Sequence, residues 1–188
     1  MKNTLFCMII EHNLNSKQNM IMIQQPHAIT LDLGGTFVKY ALISNSGEIL
    51  FQRKLPIGGE ITREDTLDVI KNSIQQVIDE AEKGNVELKG IGIGTLGIVD
   101  NGVVLGGTEN LDRWHNVDLG TIYSNMFDLP VFVDNDANVM GLGEVSFGAA
   151  KDCSDVVFLT IGIGIGGAIV INGQLYGGYK NRGGELGT

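Results

Sequence analysis

Val131-Phe-Val-Asp-Asn-Asp-Ala-Asn-Val-Met-Gly-Leu-Gly-Glu-Val-Ser-Phe-Gly148 is the stretch around which the rest of the chain is organised. Val131 to Val133 read as a short buried strand, and Asp134-Asn135-Asp136 then stops it and opens a helix. A carboxylate is therefore presented where a strand ends. On one reading, Asp134 or Asp136 caps the helix by accepting backbone N–H groups that would otherwise lack partners. On the other, Asp136 stands at a cleft as a general base. Alone, the stretch favours the cap, because Asp and Asn are preferred at that position.

Working outward, the preceding chain is β-rich. Ala28 to Leu33 is a strand with Asp32 near its end, Gly34-Gly35-Thr36 a tight turn and Phe37 to Ile43 a second strand. Asn45-Ser46-Gly47 turns the chain into a third, Ile49 to Leu55, which completes an antiparallel meander. Thr62-Arg-Glu-Asp65 has capping-box form, and Leu67, Ile70, Ile74, Val77, Ile78 and Ala81 follow at helical spacing before Gly84. Leu88 to Ile93 is a buried strand leading into a glycine turn, Gly94 to Gly97. Ile98 to Leu105 reads as a hairpin turning at Asn101-Gly102. Asp118 caps a short amphipathic helix through Leu119, Ile122 and Met126, and Val131 to Val133 returns as a parallel strand. Strands followed by alternation make residues 27–134 an α/β lobe with a mixed sheet. Asp155 to Ile161, a glycine turn at Gly162 to Gly167 and Ala168 to Ile171 begin a second, incomplete lobe over 135–188. Residues 1–26 read as a poorly ordered N-terminal extension.

Composition narrows the function classes. Hydrophobic residues make up 43% of 188 positions, with 27 Gly and 3 Pro, which describes a glycine-looped globular protein. A net charge of −9 with no basic stripe leaves no footprint for nucleic-acid binding. Cys7 and Cys153 form no CxxC pair and the histidines are only His12, His27 and His115, so no zinc site is recognisable. That cysteine usage fits a reducing compartment, and a cytoplasmic location is expected. Leu5 to Ile10 resembles a signal core but lacks a cleavage site. Val156 to Ile171 is uncharged but too short, at 16 residues, for the roughly 20 needed to span a bilayer, so no membrane partner is expected.

Two glycine turns carry the chemistry. In Asp32-Leu-Gly-Gly-Thr36, Gly34 and Gly35 let backbone N–H groups approach an anion and Thr36 adds a hydroxyl donor. Asp32 would repel a phosphate unless a cation lay between, an arrangement suited to Mg²⁺ held largely through water; a plain glycine hairpin is the alternative. Gly162-Ile-Gly-Ile-Gly-Gly167 formally satisfies GxGxxG, but a β-branched run follows where a dinucleotide fingerprint needs a helix. Gly162, Gly164, Gly166 and Gly167 then read as a second phosphate loop facing the first.

These motifs, with Asn135-Asp136-Ala-Asn138 and Gly183-Gly-Glu-Leu-Gly187 in order, resemble the ROK sugar kinases and repressors of the actin-like ATPase superfamily, over residues 28–188. The resemblance implies ribonuclease-H-like lobes around a cleft and ATP- and Mg²⁺-dependent phosphorylation of a hexose 6-hydroxyl. It also implies a homodimer. Asp136 matches the family's catalytic base; Gly97, Asn110, Asn135 and Glu185 match its sugar contacts. Trp114 reads as core packing or loop anchoring. Ile163 and Ala168 depart from the family's second loop, where a hydroxyl residue and glycine are usual, which puts one phosphate donor in doubt. Thr188 stands where the family has a His that binds sugar and zinc, and the family's zinc site is not expected in this chain. Three readings follow: a hexose kinase with little turnover if 188 residues are the whole molecule, a sugar-sensing repressor, and an actin-like nucleotide hydrolase. The repressor reading is disfavoured because 27 residues are too few for a winged helix-turn-helix.

Overall fold

A computed structural model describes residues 26–57, 62–107, 114–162 and 164–187. Asn110, Ile163, Thr188 and almost all of the N-terminal extension lie outside the described residues.

The meander forms as its turns dictate. Strands β1 (His27–Leu33), β2 (Phe37–Ser44) and β3 (Ile49–Pro56) pair antiparallel. The first turn aligns Leu33 with Val38, and the period of two then brings Asp32 opposite Lys39 and Lys39 opposite Lys54. Strand β4 (Leu88–Thr95) adds parallel to β1 and β8 (Val131–Asn135) parallel to β4, giving the order β3-β2-β1-β4-β8. Parallel neighbours need crossovers, and helices supply them.

Helix α1 (Arg63–Lys83) opens on the expected capping box: the Asp65 amide donates to Thr62 Oγ1 at 3.1 Å and the Thr62 amide to Asp65 Oδ2 at 3.0 Å. Its stripe of Ile70, Ile74, Val77 and Ala81 packs with Ile29, Leu31, Ile91 and Ile93 into one core. Helix α2 (Leu119–Phe127) is capped by Asp118, which accepts from the Thr121 amide at 2.9 Å. Its buried line is Leu119 and Tyr123 rather than Met126, which is 48% exposed, because an i, i+4 row faces the sheet. The Tyr123 hydroxyl donates to the Leu67 carbonyl at 2.9 Å and joins α2 to α1. Between β4 and α2 a small sheet holds β5 (Ile98–Asp100), β6 (Val103–Gly106) and β7 (Val117–Asp118). Its hairpin turns at Asn101 (φ 48) and Gly102 (φ 83), both left-handed as a type I′ turn requires.

Beyond β8, helix α3 (Asp136–Phe147) leads to a three-stranded sheet of β9 (Val156–Ile161), β10 (Ile165–Ile171) and β11 (Gln174–Leu175), ordered β11-β10-β9. Helix α3 lies between the two sheets. On one side Val139 meets Gly94 of β4; on the other Gly141 approaches Ala168 so closely that an added methyl would stand 2.8 Å from its Cβ. Two boundaries differ from expectation. Strand β4 runs through Gly94 to Thr95, and Gly166 and Gly167 lie inside β10, opposite Thr160 and Leu159, rather than in the turn. Backbone pairing with the neighbouring strand overrides the turn preference of glycine there.

Candidate functional site

The site is built where β8 becomes α3. The helix cap is neither of the two expected aspartates but Asn135, whose Oδ1 accepts from the amides of Ala137 at 2.9 Å and Asn138 at 3.3 Å. Asn135 Nδ2 donates to the Gly97 carbonyl at 3.0 Å, so Asn135 and Gly97 meet directly. Gly97 has φ 92, a conformation that favours glycine at this turn. Asp134 remains in the strand, its Oδ1 accepting from the Asn135 amide and from Asn138 Nδ2 at 3.0 Å.

With the cap supplied by Asn135, Asp136 becomes the first residue of α3. Its Oδ1 accepts from the Ala137 amide at 2.9 Å. Burial pushes its carboxyl above the ordinary range; the Ala137 amide opposes this, and the charges of Asp32 and Glu185 reinforce it. Two carboxylates expected from separate motifs, at positions 32 and 185, thus both bear on Asp136. Burial also raises Asp134, against the bonds from Asn138 and the Asn135 amide.

A cavity of about 630 Å³ opens between the β1–β3 face and α3, lined among others by Asp32, Lys39, Gly94, Asp136, Met140 and Thr160. It takes in Asp32 and Asp136 but not Gly97, Asn135 or Glu185. Lys39 is the residue that sequence reading passed over: its Nζ pairs with Asp32 Oδ2 at 3.1 Å inside this cavity. The signal was present, since a tight turn at 34–36 sets Lys39 opposite Asp32 on the same sheet face.

The glycines divide. A methyl at Gly162 or Gly164 would meet nothing within 4 Å, whereas at Gly166 or Gly167 it would stand 2.6 Å from Thr160 Oγ1 or Leu186 Cδ1. The latter pair is therefore needed for packing within the chain. Ala168 is fully buried against α3, so the departure there fills the core rather than the loop. Gly34 donates its amide to the Phe37 carbonyl at 3.0 Å beside Gly35, and Thr36 is exposed at the turn. Trp114 is a loop anchor in the core, 1% exposed, with Nε1 donating to Thr95 Oγ1 at 3.1 Å.

For a metal, the described residues contain no group of three or more His, Cys, Asp or Glu side chains that could hold an ion. One carboxylate, Asp32, fits only an ion held mainly by water and donor phosphates. No helix among the described residues is long and apolar enough to cross a membrane.

A mixed five-stranded sheet with this cleft is the α/β architecture of the actin-like ATPases. Residues 28–188 match the ROK family, and the chain belongs to it. It is 38% identical over 161 residues to a glucokinase from Thermotoga maritima, covering 85% of this chain and 49% of that one. It is 36% identical over 163 residues to a xylose repressor from Caldicellulosiruptor bescii, covering 85% and 40%. Among solved structures, a ROK family glucokinase from Streptomyces griseus in complex with glucose and AMPPNP superposes with a TM-score of 0.74 at 31% identity, over 85% of this chain and 49% of that one. The chain spans about half the length of the glucokinases it matches. The relatives it matches thus include both a glucokinase and a xylose repressor.

Proposed function

We propose that this chain binds a hexose and ATP and uses Asp136 as the base in phosphoryl transfer to the 6-hydroxyl. The observation that supports this most is the cavity that takes in both Asp32 and Asp136, with the charges of Asp32 and Glu185 acting on the half-buried Asp136 carboxyl. In this reading residues 27–134 form the small lobe and 135–188 begin the second. Asn110, Asn135, Gly97 and Glu185 hold the sugar, and the turns at 34–36 and 162–167 receive the donor phosphates. Asp136 takes the hydroxyl proton as the bond from O6 to the γ-phosphorus forms and the bond to the β,γ-bridging oxygen breaks, releasing ADP. The transition state is loose, so positioning and late proton removal suffice and a carboxylate with a raised pKa is well matched. Asp32 would hold Mg²⁺ through water, and the ion would neutralise charge on the donor phosphates. Lys39 holds Asp32 in place.

Calorimetric titration of the purified chain with D-glucose, D-mannose, D-fructose and N-acetylated hexosamines tests the sugar half; binding of none refutes it. In a coupled assay with ATP on a version extended to the length of its glucokinase relatives, Asp136→Asn removes turnover and leaves hexose affinity intact. Unchanged turnover in that variant would take Asp136 out of the mechanism. The likeness to a xylose repressor supports a second reading, a sugar-sensing regulator. Saturable D-xylose or hexose binding with no phosphoryl transfer at any ATP concentration would favour it.

A further inference from the structure

The segment from Gly177 to Gly187, which bears Glu185, lies across two supports. One is β10: a methyl on Gly184 would clash with the Gly167 carbonyl oxygen and one on Gly187 with that of Ile165, so the segment's glycines let it press on that strand. The other is the β5–β6 hairpin, reached by one side chain. Asn181 Nδ2 donates to the Val99 carbonyl at 3.0 Å and to Asp100 Oδ1 at 3.1 Å, across more than 80 positions of sequence. Asp100 Oδ1 also accepts from Asn101 Nδ2 at 3.1 Å. Asn181 adopts φ 56, a left-handed conformation that Asn tolerates better than most residues. Val99 lies two residues after Gly97, whose carbonyl holds Asn135, the neighbour of Asp136. The Glu185 segment is thus tied to the Asp136 corner through a continuous path of hydrogen bonds and chain.

We propose that Asn181 is a positioning residue: a latch that registers the Glu185 segment on the β5–β6 hairpin and so fixes Glu185 relative to the Asn135–Gly97 corner where a hexose binds. The hexose half of this statement rests on the proposed function; the latch itself does not. Both protons of the Asn181 amide are used, one on a neutral carbonyl and one on a carboxylate. Three variants separate the contributions. Asn181→Gly keeps the left-handed backbone and removes both bonds. Asn181→Asp keeps the shape but sets a carboxylate against Asp100. Adding Asp100→Asn to Asn181→Asp restores a donor and acceptor pair.

Hydrogen exchange on the ligand-free chain reads the latch. Amides of residues 98–104 and 183–186 exchange about five- to a hundredfold faster in Asn181→Gly, the range expected for two net hydrogen bonds. They exchange faster still in Asn181→Asp, and the double variant moves back toward wild type. D-glucose affinity, measured by titration, falls by a similar factor in Asn181→Gly while the midpoint of chemical denaturation stays in place. Unaltered exchange in both single variants, or a double variant no better than Asn181→Asp, overturns the latch. Unaltered glucose affinity in Asn181→Gly overturns the positioning role. A wild-type chain that binds no D-glucose refutes the hexose reading, and the exchange data then decide the latch alone.

Discussion

The two larger sheets of this molecule are built from similar material and finished differently. In the five-stranded sheet, Ile29, Leu31, Ile91 and Ile93 are at most 1% exposed beneath α1 and α2. In the three-stranded sheet, Ala168 and Val170 are as deeply buried beneath α3, but the opposite face shows Val157 at 62%, Leu159 at 60% and Ile161 at 85% exposure. Among the described residues strand β9 is also an edge. Both sheets contain apolar strands, so apolarity does not by itself build a core; a second layer must cover it. The first sheet therefore holds its own shape, and the second is held chiefly by the one face α3 covers among the described residues.

The largest break in this contrast comes from the first core. Ile70, fully buried on α1, loses its packing in Ile70→Ala, and a cavity there costs about 2–5 kcal/mol. Urea denaturation should show a midpoint lowered accordingly, with the whole chain losing its helical signal together. A midpoint within error of wild type would mean that the α1 layer does not hold the sheet.

The joint between the sheets is the next target. A side chain at Gly141 must displace Ala168 or Phe158, so Gly141→Ala is expected to destabilise by about 1–3 kcal/mol, and Ala168→Gly in the same chain to recover much of the loss. Limited proteolysis should find new cleavage between residues 154 and 176 before any within β1–β4. Equal sensitivity in both regions would show that the two sheets unfold as one unit.

How much of this was legible in sequence follows the range of each interaction. The capping box of α1, the Asn101-Gly102 turn and the Asp118 cap depend on residues within four positions of each other, and all three stand where the sequence put them. Glycine's preference for turns puts Gly166 and Gly167 in the loop, and strand pairing across β9 overrules it. At the candidate site, Asp32, Asn135 and Asp136 were recognisable, but three adjacent capping residues cannot be ranked without knowing that Gly97 offers a carbonyl to Asn135. Lys39 was readable from strand alternation and went unread. The Asn181 contact was not readable at all, since no local pattern joins residues 81 and 82 positions apart.

A smaller effect, opposite in sign, is expected at Asp136. Its folded carboxyl is raised by burial first and by Asp32 and Glu185 in addition, so the folded chain holds a proton more tightly than the unfolded one. Stability from this group is present below its unfolded pKa and is lost as pH rises through the higher folded value. Asp136→Asn, which keeps an acceptor for the Ala137 amide, should raise the melting temperature at neutral pH. It should also flatten the decline in stability above the ordinary carboxylate range. Asp134→Asn tests the same sign where the cause is again burial. A lower melting temperature at neutral pH in Asp136→Asn would mean that its charge is stabilised by something other than the groups described.

The smallest change in stability belongs to the bare face. Leu159 is 60% exposed on β9, pointing away from α3, so Leu159→Lys removes little packing and should alter the denaturation midpoint by no more than about 0.5 kcal/mol. Its effect should appear in association instead. An apolar face beside an unpaired strand edge invites contact between copies, and a charge there opposes it. Sedimentation velocity of the wild-type chain should show a concentration-dependent rise in apparent mass that Leu159→Lys diminishes, and Ile161→Lys, at the most exposed position of the face, diminishes further. A large loss of stability in Leu159→Lys would mean that this face is covered in solution. That would erase the difference between the two sheets, because the apolar face of the second would then be covered as that of the first is.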